Sequence, residues 1–175
     1  MLRLIPVVLI LTLLVACRGE PTESTIREAV AVAEPHPALP LIPGDDVVTG
    51  QTIYVPAFSS IYTRDDQRTA ELAVTLSVRN VDTQRSIQVR TVNYHATDGT
   101  LVRSYVENPQ TIPPLGVLEF VVKEQDTSGG SSVSFLVQWT AAYTVSAPLV
   151  ETVMIATSHS QGLSFTERGV VVDQL

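Results

Sequence analysis

The stretch Leu72-Ala-Val-Thr-Leu-Ser-Val-Arg79 decides the fold of this chain. Large apolar residues occupy every second position from Leu72 to Val78, and small or polar residues lie between them. Successive side chains of a β-strand point to opposite faces of its sheet, so this pattern predicts a strand with one buried face. The same alternation recurs from Val133 to Trp139, and the sequence after Val48 shows no helical period of useful length. The sequence therefore predicts an all-β domain.

Turn residues separate six further segments that have the character of strands. These are Thr52–Pro56, Ile87–Tyr94, Leu101–Tyr105, Val117–Val122, Leu149–Thr157 and Leu163–Val172. The apolar phase changes at Arg90-Thr91, which predicts a β-bulge, and Asp98-Gly99 predicts a tight turn. Pro56 predicts a strand end or a sheet edge. About eight short strands favour an immunoglobulin-like antiparallel β-sandwich of about 7–9 strands with Trp139 in its core, and a small β-barrel is the alternative.

Residues 1–17 have the layout of a secretory signal peptide and end in a cysteine. One positive charge, at Arg3, precedes an apolar run from Leu4 to Ala16. The run is shorter than the about 20 residues that span a bilayer, but it fits the apolar region of a signal peptide. Leu14-Val-Ala-Cys17 closely resembles the lipobox, whose cysteine is acylated and becomes the mature N-terminus. We therefore predict a lipoprotein signal peptide at residues 1–16 and a lipid anchor, with acyl chains such as palmitate, on Cys17.

Residues 17–48 predict a tether between the lipid and the β-domain. They contain five prolines and six acidic residues, and proline-rich segments are extended and semi-rigid. Residues 49–175 are then expected to form the β-sandwich domain. We expect the protein in the cell envelope, held to the membrane through Cys17. Because Arg18 is not an acidic retention residue, we expect the outer membrane if the host has two membranes.

Charge and cysteine content exclude several kinds of partner and chemistry. The formal net charge is -7, which disfavours a nucleic-acid partner. Cys17 is the only cysteine, so its acylation leaves the mature domain without a disulfide, a Cys-ligated zinc or a thiol nucleophile. His36, His95 and His159 have no partner at the spacing of a zinc site. We therefore predict no metal and no cofactor.

Two segments contain more polar, glycine and aromatic residues than folding alone requires. One is Asp126-Thr-Ser-Gly-Gly-Ser-Ser132, whose glycines allow backbone amides to approach an anion. The other runs from Tyr54 to Tyr62. The candidate binding patch therefore consists of Tyr54, Tyr62, Asp126, Ser128, Gly129 and Gly130. The first segment lacks the nucleophile-elbow and calcium-loop patterns, so its competing interpretation is a flexible hairpin connection between strands ending at Val122 and beginning at Val133.

A set of sequence blocks resembles one bacterial family. The blocks are Tyr54-Val-Pro-Ala-Phe-Ser-Ser-Ile-Tyr62, Leu76-Ser-Val-Arg-Asn80, Asp126-Thr-Ser-Gly-Gly130, Val137-Gln-Trp139, Val153-Met-Ile-Ala-Thr-Ser158, Gly162-Leu-Ser-Phe165 and Arg168-Gly169. From about Gln51 to Val172 they are similar to the bacterial domain of unknown function family 3124 (DUF3124). The resemblance implies an envelope protein, often with a lipoprotein signal, and it supplies no catalytic residue to carry over.

Three classes of function stay open on the sequence alone. The favoured one is a non-catalytic envelope lipoprotein whose sandwich binds an envelope protein, a glycan or a small ligand. The second is an envelope hydrolase that uses Ser128 or Ser131 as its nucleophile. The third is a structural or assembly factor of an envelope complex. Because the sequence contains no recognisable catalytic constellation, we do not expect an enzyme.

Overall fold

The computed structural model describes residues 47–157 and 162–175, and these residues form twelve β-strands and no helix. The strands are β1 (Thr49–Phe58), β2 (Ser60–Tyr62), β3 (Thr69–Glu71), β4 (Ala73–Arg79), β5 (Ile87–His95), β6 (Leu101–Ser104), β7 (Gln110–Ile112), β8 (Val117–Val122), β9 (Ser132–Ala141), β10 (Leu149–Ala156), β11 (Leu163–Arg168) and β12 (Val170–Gln174). The predictions for the signal peptide, Cys17, His36, His159 and nearly all of the tether lie outside the described residues.

Two open antiparallel sheets build the domain. The six-stranded sheet has the order β12-β1-β9-β5-β6, and β7 also pairs with β5. The four-stranded sheet has the order β11-β10-β4-β8, and β2 and β3 form a separate small pair. Each larger sheet ends in edge strands rather than closing on itself, so the predicted all-β antiparallel sandwich is confirmed and the alternative of a small barrel is wrong.

Apolar residues from both larger sheets share one core. Val74, Leu76 and Val78 of β4 have no exposed surface, and Trp139 of β9 is 1% exposed. All four belong to the same hydrophobic cluster, so the prediction that Trp139 lies in the core is confirmed. A polar contact also joins the sheets, because the Thr152 hydroxyl of β10 donates a hydrogen bond of 2.8 Å to the carbonyl oxygen of Pro56 in β1.

Two local predictions for β5 are confirmed. The pairing of β5 with β9 changes register between Val89 and Thr91, so Arg90 is the extra residue of a bulge. The turn after β5 contains Gly99 with a φ of +83°, and the amide of Ala96 donates to the carbonyl of Thr100 at 2.9 Å. Only glycine adopts such a φ at little energetic expense, which is why the Asp-Gly pair predicts the turn.

Strand β1 is longer and more central than the sequence suggests. It pairs with β9 along its whole length, from Thr49 to Phe58. Strand β12 covers its other side only from Gln51 to Tyr54. Pro56 therefore lies beyond Tyr54, which pairs with the first residue of β12, and its missing N–H leaves no ladder bond unmade there. Pro56 therefore marks the position where the pairing of β1 with β12 has stopped. It lies neither on an edge strand nor at the end of β1, the two positions that the sequence predicted.

The connection between β8 and β9 differs from the predicted hairpin. Strand β8 pairs with β4 in the four-stranded sheet, whereas β9 lies in the six-stranded sheet. The hairpin prediction is therefore wrong, because residues 123–131 cross from one layer of the sandwich to the other. The last predicted strand also changes layer, since it breaks at Gly169 into β11 and β12. A Cβ at Gly169 would lie 2.5 Å from the Cγ2 atom of Ile53, so only glycine permits this close crossing.

Candidate functional site

Asp126 holds the shape of the crossing loop, residues 123–131, through hydrogen bonds within the loop and an ion pair with β6. One carboxylate oxygen of Asp126 accepts hydrogen bonds from the Ser128 hydroxyl at 2.5 Å and the Ser128 amide at 3.2 Å. The other forms an ion pair with Nη2 of Arg103 at 2.9 Å. The Ser128 hydroxyl bond, followed by the Arg103 bond, lowers the pKa of Asp126 below its ordinary value. Asp126 and Ser128 therefore organise the loop, and the Ser128 hydroxyl is directed to a carboxylate.

Packing and backbone geometry account for both glycines of the loop. Gly129 is buried, and a Cβ there would lie 2.6 Å from Oη of Tyr94 and 2.7 Å from Cγ1 of Val133. Gly130 has a φ of +78°, a conformation that L-residues with side chains rarely adopt. The loop is also tied to the turn after β5, because the amide of Thr97 donates to the carbonyl of Gly129 at 2.8 Å.

Tyr94 lies directly beneath this loop. Its side chain is fully buried, and its hydroxyl has no hydrogen-bond partner among the described residues. Burial, and after it the negative charge of Asp126, raises the pKa of Tyr94 to about 12. The hydroxyl therefore stays protonated at physiological pH.

The two segments that form the predicted patch meet at Ser59. Its amide donates to the carbonyl of Ser131 at 2.9 Å, and its hydroxyl donates to the carbonyl of Gly130. Beside this junction is an open depression of about 330 Å³ on the outer face of the six-stranded sheet, which we name the tyrosine groove. Its walls are formed by Tyr54, Pro56, Ala57, Phe58, Ala96, Thr97, Gly99, Ser132, Val133 and Ser134.

The structure distributes the six predicted patch residues unequally. Tyr54 lines the tyrosine groove and is 42% exposed, whereas Tyr62 of β2 is 63% exposed and lies outside the groove. The four loop residues do not line the groove either. Their part is indirect, because the loop is hydrogen-bonded to Thr97, a wall residue, and to Ser59, which follows the wall residue Phe58.

A second depression, of about 390 Å³, contains residues that the sequence interpretation missed. Its described walls include Arg85 and Arg90, which lie at the opposite end of β9 from the tyrosine groove. The sequence contains one signal for this depression, a local concentration of positive charge. Of the 11 basic residues of the chain, Arg79, Arg85 and Arg90 fall within one stretch of twelve positions.

Residues 47–157 and 162–175 contain no group of three or more His, Cys, Asp or Glu side chains arranged to hold a metal. Within the same ranges, no helix has the length and apolar character needed to cross a membrane.

The fold and its two depressions define an antiparallel β-sandwich with open, ligand-sized surfaces on its larger sheet. A family model described as "Protein of unknown function (DUF3124)" matches residues 50–172, so the chain belongs to this family, as its sequence blocks predict. A solved structure titled "Crystal Structure of Thermotoga maritima 1070" is similar at 10% identity and a TM-score of 0.44, covering 69% of this chain and 92% of that chain. Among curated proteins, none matches this chain.

Proposed function

We propose that this protein is an envelope lipoprotein, anchored through Cys17, whose β-sandwich binds an envelope protein or glycan in the tyrosine groove without catalysing a reaction. The observation that carries the proposal is the groove itself. Residues from the Tyr54–Phe58 segment, from the turn after β5 and from the start of β9 form one open depression. The Tyr54–Phe58 segment and the turn after β5 are distant in sequence. The crossing loop joins them, because it is hydrogen-bonded to Ser59, next to the first, and to Thr97 in the second.

The side chains of the groove suit recognition better than chemistry. Tyr54 and Phe58 supply aromatic surface, which combines a large contact area with a small loss of conformational entropy on binding. Ser132, Ser134 and Thr97 supply hydroxyl groups that both donate and accept hydrogen bonds. The groove contains no carboxylate, lysine or arginine among its described wall residues. This combination favours a neutral, polar ligand with hydroxyl or amide groups.

The groove also lies on a stiff support. Strands β1 and β9 pair over ten residues, from Thr49 opposite Ala141 to Phe58 opposite Ser132. A site on paired strands holds its geometry more precisely than a site on loops alone. Rigidity lowers the entropy lost on binding, which favours an interaction module on this face.

The anchoring part of the proposal rests on the leader sequence that ends at Cys17. Intact-mass measurement of the mature protein tests it. We expect a polypeptide that begins at Cys17 and carries diacylglycerol and acyl chains, and a Cys17→Ala variant without them. An uncut or unacylated N-terminus in the native protein would contradict the anchor.

Photocrosslinking in living cells tests the binding part. The photoreactive residue p-benzoylphenylalanine replaces Tyr54 in the full chain, and the matched control places it at Tyr62, an exposed tyrosine outside the groove. We expect a discrete adduct from position 54 that is absent from position 62. Sensitivity of the adduct to protease or to glycosidase then identifies a protein or a glycan. Equal adducts at both positions, or none at position 54, would count against the groove as a binding site.

A further inference from the structure

The second depression differs in chemistry from the tyrosine groove. It lies near the start of β5 and the end of β9, and its volume of about 390 Å³ falls within the usual range for small-molecule pockets. Its described walls are Val47, Gln84, Arg85, Ser86, Gln88, Arg90, Thr111, Thr140, Ala141, Ala142 and Tyr143, and we name it the arginine pocket. These wall residues include two arginines and no aspartate or glutamate, in a chain of net charge -7.

Arg85 presents hydrogen-bond donors in this pocket. Its Nη1 atom donates to the carbonyl of Thr144 at 2.6 Å, and its guanidinium carbon lies 5.3 Å from the centre of the Tyr143 ring. Nη1 is the Arg85 nitrogen with a hydrogen-bond partner among the described residues, and Nε and Nη2 have none there. A guanidinium presents its donors in a planar fork that matches the oxygens of a carboxylate or phosphate. Arg85 is therefore held at one nitrogen and stacked on one ring, with donors left for a ligand.

Arg90 adds a second positive charge to the wall. It is the extra residue of the β5 bulge, and bulges commonly redirect a side chain next to a functional site. The side chain is half-buried, and Nε donates to the hydroxyl of Thr140 at 2.8 Å. Arg90 therefore shapes this wall of the pocket from the bulge, held in place by Thr140.

The backbone that carries Arg85 is fixed by two neighbouring polar side chains. The buried amide group of Asn80 donates to the carbonyls of Arg85 at 2.8 Å, Pro113 at 3.0 Å and Ile112 at 3.2 Å. The carboxylate of Asp82 accepts hydrogen bonds from three backbone amides, those of Gln84, Arg85 and Ser146.

The bonds at Asp82 have an electrostatic consequence. The amide of Gln84, followed by those of Ser146 and Arg85, lowers the pKa of Asp82 below its ordinary value. Its negative charge therefore persists at neutral pH, where it is bound by amides of two loops and also attracts the guanidinium of Arg85. Asp82 is also absent from the described walls of the pocket, so it positions Arg85 rather than occupying the place of a ligand.

We infer that the arginine pocket binds a small ligand bearing an oxyanion, a carboxylate or a phosphate, which pairs with the open donors of Arg85. The exposed ring of Tyr143 and the side-chain amides of Gln84 and Gln88 then contact the uncharged part of the ligand. This site is separate from the tyrosine groove and does not depend on the function proposed for that groove.

Calorimetric titration of the full lipidated chain in neutral detergent tests the inference with three sugars of similar size. The probes are D-glucuronate, D-glucose 6-phosphate and D-glucose, which share a ring and differ in their anionic group. We expect both anions to bind more tightly than glucose, and the tighter of the two identifies a carboxylate or a phosphate as the preferred group. Equal binding of all three sugars, or of none, would overturn the inference.

Charge-matched variants locate the site. Arg85→Gln should weaken binding of the tighter anion about tenfold, since it removes a charge-assisted bidentate contact. Arg64→Gln removes the same charge from an exposed position outside the pocket and should change binding less than about twofold. Tyr143→Ala, at a side chain 62% exposed, should also weaken binding without unfolding the domain. Full affinity in a folded Arg85→Gln variant would overturn the assignment.

The titration also separates this inference from the function proposed for the tyrosine groove. Ser134→Trp fills the groove at the other end of β9 and is expected to leave anion binding unchanged. Loss of anion binding in a folded Ser134→Trp protein would contradict two separate sites.

Discussion

Replacing Tyr94 by phenylalanine is expected to stabilise the protein or leave its stability unchanged, although it removes a hydroxyl from the core. That hydroxyl is buried and has no hydrogen-bond partner among the described residues. A buried hydroxyl without a partner destabilises a fold by about 1–3 kcal/mol in mutational data. The ring contact with Phe135, at 5.2 Å between centroids, survives the change. We therefore expect Tyr94→Phe to raise the free energy of unfolding by about 1 kcal/mol, at the low end of that range because a small void remains.

Gly129→Ala tests the same contact from the loop side. The added Cβ would lie 2.6 Å from Oη of Tyr94 and 2.7 Å from Cγ1 of Val133. Overpacking of this kind destabilises by about 1–3 kcal/mol. In the Tyr94→Phe background the first of these clashes is absent. We therefore expect Gly129→Ala to be less destabilising there, with a coupling of about 0.5–1 kcal/mol in a double-mutant cycle.

Urea unfolding of the full chain, followed by Trp139 fluorescence, measures all four proteins of the cycle. Trp139 is the single tryptophan and is 1% exposed, so its emission reports loss of the core. A Tyr94→Phe variant measurably less stable than the native protein would refute the reasoning, because the hydroxyl must then have a partner. Strictly additive free energies would refute the contact between Gly129 and Tyr94.

Three further outcomes follow from the described contacts and the sequence. Asn80→Ala should lower the free energy of unfolding by about 2–4 kcal/mol in the same urea assay, because it removes the amide group that donates to three carbonyls. A decrease of less than about 1 kcal/mol would contradict this prediction. Hydrogen bonds, mainly from Gln84, Thr100 and Ser128 respectively, hold the pKa values of Asp82, Asp98 and Asp126 below 3.8. The unfolded state therefore binds protons at a higher pH than the folded state does, and Tm should fall as the pH drops below 3.8. This fall should be smaller in an Asp82→Asn variant, and an identical fall would contradict the lowered pKa of Asp82. Asp45→Asn combined with Asp46→Asn removes two negative charges within two residues of Val47, a wall residue of the arginine pocket, and should tighten glucuronate binding at low salt in the calorimeter; weaker binding would contradict it.

Alternation along the chain predicts most of the strands because burial of one face imposes a period of two. It finds β4 and β9 directly, and it locates the bulge at Arg90 because an extra residue shifts that period. It does not find β2, β3 and β7, which have only three residues each and are too short to show a period. A period also says nothing about which sheet a strand joins. The crossing of residues 123–131 between layers therefore appears only in the pairing of β8 with β4.

Local composition predicts only part of the candidate site. The Tyr54–Tyr62 segment stands out by composition, and Tyr54 lines a groove. The glycines of the crossing loop also stand out, but Gly129 is required by its contact with Tyr94, and Gly130 by its positive φ. A local sequence window does not distinguish these structural needs from a binding role, because both select glycine.

The arginine pocket was missed because strand pairing assembles it. Arg90 and Thr140 are 50 positions apart, and the antiparallel register of β5 with β9 makes them neighbours. Arg85 reaches the pocket because Asn80 and Asp82 shape the loop before β5. Neither link follows from the spacing of residues along the chain.

The most direct test of the binding proposal is the yield of the photo-adduct from position 54 after the tyrosine groove has been filled. Ser134 lies opposite Pro56 in the pairing of β9 with β1 and forms part of the groove wall, so Ser134→Trp places a large side chain in it. We predict that the adduct formed in living cells falls at least about tenfold in the Ser134→Trp background, while the domain stays folded and membrane-bound. An undiminished adduct in a folded, filled protein would contradict the account.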